Sequence, residues 1–68
     1  MQLRINGEEK SYDAPLTLAS LIASMGLKSD RVAVELNRDI VPREQWERTS
    51  LAEGDRLEIV HFVGGGQR

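Results

Sequence analysis

Residues 2–27 read QLRINGEEKSYDAPLTLASLIASMGL and set the order of elements in this chain. Apolar and polar residues alternate over positions 2–6, which is the period-two pattern of a half-buried strand. Asn6-Gly7 follows at once, and this dipeptide is a strong hairpin signal because both positions accept positive φ. The segment therefore begins with a strand, a tight turn and a polar return strand over residues 9–13.

A helix is predicted next. Thr17 is a residue type that caps helix N-termini, because its hydroxyl accepts a hydrogen bond from a free amide of the first turn. Apolar residues then follow at helical spacing and form one stripe on a helix of about nine residues; they are Leu18, Leu21, Ile22 and Met25. Gly26 stands where a left-handed residue ends such a helix. We expect a short core helix without a catalytic role.

The second half of the chain predicts further extended segments separated by turns. The extended segments are residues 32–36, 40–41 and 56–63, with a turn at 37–39, a polar connection at 28–31 and a short helical turn near residues 43–47. We expect Trp46, in that helical turn, to cover the core rather than bind a ligand, because a large ring is costly to leave in water.

Two strands, a helix and further strands in this order predict an α+β fold. One main helix packs across a mixed sheet of about four to five strands, and the order suggests a β-grasp, ubiquitin-like arrangement. Residues 1–63 are expected to form a single domain. Residues 64–68 begin with three glycines, which have no side chains to bury and lose much backbone entropy on ordering, so we expect a flexible tail.

Composition excludes several classes of function. The chain has no cysteine and one histidine, so no side chain can act as a thiol nucleophile. Nine basic and eleven acidic side chains are spread without a basic stripe, which argues against a nucleic-acid partner. No leader opens the chain and no apolar run approaches the ~20 residues of a membrane span. We therefore expect a cytoplasmic protein without a membrane partner.

The predicted closing strand presents two different faces. If Leu57 and Ile59 point at the helix, Val60 and Phe62 point away from it. Two exposed apolar residues beside a mobile tail make a candidate partner-docking patch; the alternative is that a bulge or twist turns Phe62 back over the core. His61 shares the parity of Leu57, so we expect it to be half-buried and to take part in neither catalysis nor metal binding.

Several motifs together point to one protein family. They are Asn37, the run Ile40-Val41-Pro42-Arg43-Glu44-Gln45-Trp46, then Leu51, Gly54-Asp55, Glu58-Ile59-Val60 and Val63-Gly64-Gly65-Gly66. With these residues the chain resembles, over nearly its whole length, the thiamine-pathway sulfur-carrier (ThiS) family. Glycines near a terminus occur in other ubiquitin-like proteins, whereas the Val-Pro-Arg-x-x-Trp element followed by Gly-Asp is far more specific.

The resemblance implies a function that rests on the glycines. Gly66 would be the reacting residue, with Gly64 and Gly65 as its flexible stem. An adenylating (E1-like) enzyme would use ATP and magnesium to convert the carboxylate into an acyl-adenylate, and a persulfide sulfur donor would give the thiocarboxylate. A thiazole synthase would take that sulfur for thiamine. The chain itself would be a protein cosubstrate rather than an enzyme, with no bound cofactor.

One feature departs from the family pattern. Family members usually end at the glycine pair, whereas Gln67 and Arg68 follow Gly66 here. We expect a host peptidase to trim these two residues; the alternatives are a tail added to the recombinant protein, or a chain that has left the carrier role. Two rival functions also stay open. One is a sulfur carrier for molybdopterin or cysteine synthesis, and the other is a non-covalent ubiquitin-like binding module that uses Val60 and Phe62.

Overall fold

A computed structural model of the protein describes residues 1–62. Its elements in chain order are β1 (Gln2–Ile5), β2 (Glu8–Ser11), α1 (Leu18–Ser24), a 3-10 helix (Ser29–Arg31), β3 (Val32–Leu36), β4 (Asp39–Ile40), a second 3-10 helix (Arg43–Arg48) and β5 (Arg56–His61). The expected end of the last strand at residue 63 and the expected tail, residues 64–68, lie outside the described residues.

The five strands form one mixed sheet in the order β2-β1-β5-β3-β4. β1 and β2 are antiparallel and joined through Asn6 and Gly7, which have φ values of 51° and 84°. β1 pairs in parallel with β5, and β5 pairs antiparallel with β3. The predicted α+β fold with a mixed sheet and one main helix is confirmed, and β5 lies at the centre of the sheet.

Helix α1 begins and ends at the residues that the sequence predicts. The Thr17 hydroxyl oxygen accepts a hydrogen bond from the Ser20 amide at 3.1 Å. At the other end Gly26 has a φ of 74°, and the Leu27 amide donates to the Ile22 carbonyl at 3.3 Å. This is the Schellman arrangement, in which a left-handed glycine lets the chain reverse and satisfy a free carbonyl. The helix has seven residues rather than the nine expected.

The core lies between α1 and one face of the sheet. Its buried residues are Leu3, Ile5, Leu18, Leu21, Ile22, Val32, Val34, Trp46, Leu51 and Leu57. The prediction that Trp46 covers the core is confirmed, since it is 3% exposed and its indole N–H donates to the Val41 carbonyl at 2.9 Å. Each fully buried aliphatic side chain contributes about 1.5–3 kcal/mol. Among residues 1–62 no helix has the length and apolar character to cross a membrane.

The expectation that His61 is half-buried is wrong, because the residue is exposed. Leu57 is buried and Ile59 packs partly against the core, so the alternation holds for the first part of β5. α1 has seven residues and spans about 10 Å, whereas the six residues of β5 span about 20 Å. β5 is thus about twice as long as α1, and near its end His61 lines a shallow cavity with Gly26 and Leu27 instead of packing in the core.

Candidate functional site

The strand that leads toward the glycines is held on both edges. On one edge, the side chain of Asn6 continues the parallel pairing after β1 ends: its Oδ1 accepts from the Ile59 amide at 2.7 Å, and its Nδ2 donates to the Ile59 carbonyl at 3.2 Å. On the other edge, the Phe62 amide donates to the Arg31 carbonyl at 2.8 Å. The backbone is thus fixed up to the last described residue.

A second asparagine fixes the start of β5. The Nδ2 of Asn37 donates to the Oδ1 of Asp55 at 3.0 Å, and its Oδ1 accepts from the Arg56 amide at 3.0 Å. The other carboxylate oxygen of Asp55 accepts from the Ala52 amide at 2.8 Å, which closes the turn around Gly54. Asn37 and the Gly54-Asp55 pair therefore have a structural role, namely positioning the strand.

The two predicted docking residues are both on the surface. Val60 is 59% exposed and lies opposite Ala33 in the β3–β5 ladder. Phe62 is 53% exposed and follows the end of β5. Phe62 is therefore not buried in the core, but it lies near Leu27, which packs against the core. Their role in docking stays a prediction.

Phe62 lines a shallow cavity of about 320 Å³, which we call the Phe62 cavity. Its lining residues are Gly26, Leu27, Lys28, Arg31, His61 and Phe62. Lys28 and Arg31 lie in a polar connection that has no functional pattern in the sequence. Their proximity to Phe62 depends on the β3–β5 register, which local sequence patterns do not reveal.

Gly64, Gly65 and Gly66 lie outside the described residues, so their roles stay predictions. Within residues 1–62 there is no group of three or more histidine, aspartate or glutamate side chains that could hold a metal ion.

Comparisons with known proteins agree with the fold and the motifs. The model of the ThiS family matches residues 3–66. The sulfur carrier protein ThiS of Bacillus subtilis is 38% identical over 65 residues, which cover 94% of this chain and 98% of that protein. A crystal structure of the thiamine biosynthesis protein ThiS from Geobacter metallireducens has a TM-score of 0.82 and 32% identity, and the match covers 97% of this chain and 100% of that one.

A thiazole synthase of Paramagnetospirillum magneticum is 46% identical over 66 residues, which cover 97% of this chain and 20% of that protein. A second thiazole synthase, from Magnetococcus marinus, is 40% identical over 67 residues. This chain thus spans only about a fifth of the length of these two relatives, 20% and 21%. The family match over residues 3–66, together with the likeness of the fold to a solved ThiS structure, establishes that this chain belongs to the ThiS family.

Proposed function

We propose that this chain is a sulfur carrier of thiamine biosynthesis and that the carboxyl group of Gly66 carries the sulfur. The observation that supports this most is the extent of the family match, which runs through residue 66 and so includes all three glycines. A relative that the chain matches over 98% of its length is itself a sulfur carrier protein. The central position of β5 also suits the role, because a strand held on both edges is a firm base for a tail.

The proposed chemistry begins with activation of a carboxylate. An α-carboxylate is ionised at neutral pH and is a poor electrophile. In the adenylating enzyme, one carboxylate oxygen bonds to the α-phosphorus of ATP and pyrophosphate leaves. The sulfur of a donor persulfide then attacks the acyl carbon and AMP leaves, after which a thiol reduces the acyl disulfide to the thiocarboxylate. Glycine suits this position because it places no side chain in the nucleophile's path.

Gly66 can react in this way only with a free carboxyl group. In the sequence Gln67 follows, so the Gly66 carboxyl is part of a peptide bond. The proposal therefore includes hydrolysis of the Gly66–Gln67 bond by a peptidase before activation. The absence of cysteine from the sequence means that the activated terminus cannot be captured by a thiol of the same chain. The catalytic groups belong to the partner enzymes, and this chain is their cosubstrate.

Thiazole formation is the proposed destination of the sulfur. Two relatives are thiazole synthases that contain a region similar to nearly all of this chain, which favours thiamine over molybdopterin or cysteine synthesis. Three extended glycines reach at most about 10 Å. That distance suits a tail that enters a partner's active site while Val60 and Phe62 contact the partner's surface outside it.

The test compares three forms of the chain with the adenylating enzyme of the same organism: the full chain, a chain that ends at Gly66, and a control that ends at Gly64. We expect ATP–pyrophosphate exchange with the Gly66 form alone. After addition of the sulfur donor, intact mass spectrometry should show one oxygen-to-sulfur increment on that form. Equal exchange with the full chain would refute the trimming step, and no exchange with any form would refute the carrier role.

A further inference from the structure

The Phe62 cavity combines an exposed aromatic ring with a basic rim. We propose that it docks an acidic segment of the enzyme that activates Gly66, with an apolar side chain of that segment over Phe62 and its carboxylates paired with Lys28 and Arg31. This inference rests on the proposed function, since it names the surface by which the adenylating enzyme recognises its carrier. It concerns docking alone and involves no chemical step.

The backbone brings the basic and aromatic parts together. The hydrogen bond from the Phe62 amide to the Arg31 carbonyl, 2.8 Å long, fixes these two residues side by side. The 3-10 helix Ser29–Arg31 holds the second cation, because the Arg31 amide donates to the Lys28 carbonyl at 2.9 Å. The cavity therefore has a fixed backbone frame.

Charge complementarity identifies the partner's chemistry. The chain has a formal charge of −2, yet the charged side chains lining the Phe62 cavity are Lys28 and Arg31, with His61 beside them and no carboxylate among the described residues of the lining. Asp30 lies between the two cations in sequence but does not line the cavity. Four other cavities along residues 1–62 each include at least one carboxylate.

The two cations are also available to a partner. The ion pairs within residues 1–62 join Arg4 to Glu9 and Lys10 to Glu8, so neither Lys28 nor Arg31 is paired inside the described part of the molecule. Opposite potentials across an interface accelerate association and select the correct partner. An acidic segment on the activating enzyme would use both of these effects.

Position in the chain places the cavity beside any enzyme that acts on Gly66, the adenylating enzyme included. Phe62 precedes Gly66 by four residues, a span of at most about 14 Å. An enzyme that encloses Gly66 must therefore also lie close to the Phe62 cavity.

The test measures binding of the full chain to the adenylating enzyme of the same organism by calorimetry, at low and high sodium chloride. We expect Arg31→Glu and Lys28→Glu each to raise Kd about tenfold at low salt and much less at high salt. The matched control is Arg56→Glu, the same charge change on an exposed residue at the opposite end of β5, which should stay within about twofold of wild type. Circular dichroism verifies that each variant is folded.

Two further variants test the apolar contact at Phe62. Phe62→Ala should raise Kd about tenfold at both salt concentrations, because burial of an aromatic ring is insensitive to screening. Ile40→Ala, at a residue that is 73% exposed and distant from the cavity in sequence, is the control and should leave Kd unchanged.

Three results would overturn the inference. The first is wild-type affinity of both cation variants, and the second is equal weakening by Arg56→Glu, which would indicate general attraction. The third is that inorganic phosphate, added at constant ionic strength, specifically weakens binding to the adenylating enzyme, which would indicate an anion site. The ATP–pyrophosphate exchange assay distinguishes this docking inference from the carrier role. If Arg31→Glu leaves exchange on the Gly66 form unchanged, the docking inference alone is refuted. If binding depends on Arg31 but the Gly66 form shows no exchange, the carrier role alone is refuted.

Discussion

The side-chain amide of Asn6 hydrogen-bonds both backbone polar groups of Ile59, accepting at 2.7 Å and donating at 3.2 Å. It thereby imitates a strand residue and adds one rung to the parallel ladder, which otherwise ends at the pair Ile5–Leu57. Asn6 also adopts a φ of 51° in the first hairpin turn. One residue therefore both forms the turn and fixes the register of the central strand.

These two roles can be separated by two substitutions at Asn6. Asn6→Gly removes both hydrogen bonds but tolerates the left-handed φ, and should lower the free energy of unfolding by about 1–2 kcal/mol. Asn6→Ala removes the same bonds and also adds the steric cost of a Cβ atom at that φ, so it should lower the free energy of unfolding by about 1 kcal/mol more. Urea unfolding followed by the fluorescence of Trp46 measures both. Equal stability of the glycine variant and the wild type would show that the contact to Ile59 contributes nothing.

The second hairpin has the same turn geometry with a less suitable residue. Asn37 and Arg38 have φ values of 51° and 78°, close to the 51° and 84° of Asn6 and Gly7. Arg38→Gly should stabilise the protein by about 0.5–1 kcal/mol, since relief of the left-handed strain exceeds the entropy that glycine adds to the unfolded chain. Gly7→Ala is the reverse control and should destabilise it. A lower midpoint of urea unfolding for Arg38→Gly would contradict this account.

Trp46 stabilises the loop between β4 and β5 through packing and one hydrogen bond. Trp46→Phe retains a buried ring but loses the bond to the Val41 carbonyl, and should cost about 2 kcal/mol. Trp46→Ala also leaves a cavity and should cost about 3–5 kcal/mol. Far-ultraviolet circular dichroism during urea unfolding measures both, because neither variant retains the tryptophan signal. Nearly equal losses of unfolding free energy in the two variants would show that the indole hydrogen bond and the ring packing cannot be separated in this way.

The proposed docking role of Val60 can be tested without disturbing the sheet. Val60→Thr keeps the branched shape that suits a strand but makes the exposed surface polar. We expect the KM for the carrier in ATP–pyrophosphate exchange, measured with chains that end at Gly66, to rise about threefold to tenfold, while the free energy of unfolding changes by less than about 0.5 kcal/mol. Ile40→Thr is the matched control, because Ile40 is more exposed; an equal rise in that variant would remove the case for Val60.

Removal of the glycines distinguishes a carrier from a binding module. A chain that ends at residue 63 should unfold with nearly the same free energy as the full chain, because glycine adds no apolar surface to the core. It should nevertheless fail to restore thiazole synthesis in cells that lack another carrier, as measured by growth without added thiazole. Restored growth would favour a non-covalent ubiquitin-like module.

Local signals in the sequence predicted the elements well. Asn6-Gly7 identified the first turn, Thr17 and Gly26 identified the two ends of α1, and Trp46 was correctly expected to cover the core. Each of these signals depends on the φ preference, the hydrogen-bonding capacity or the size of one residue, so it is visible without knowledge of the remainder of the chain.

Relationships between distant segments were harder to predict. The alternation in β5 failed at His61, because the pattern describes which side a residue faces but not how far along that side the core extends. The contact between Asn6 and Ile59 was missed for a related reason, since an asparagine before glycine is already explained by the turn. The grouping of Lys28 and Arg31 with Phe62 arises from strand register alone.

The parallel pair of β1 and β5 also has a kinetic consequence. It joins residues 4 and 56, so the middle of the sheet forms only after almost the whole domain has been synthesised. Folds dominated by such long-range contacts fold more slowly than those built from local ones, because the loss of loop entropy precedes the gain of contacts. We expect the N-terminal hairpin and helix to be unstable without the final strand, so that the domain folds only after β5 has been added.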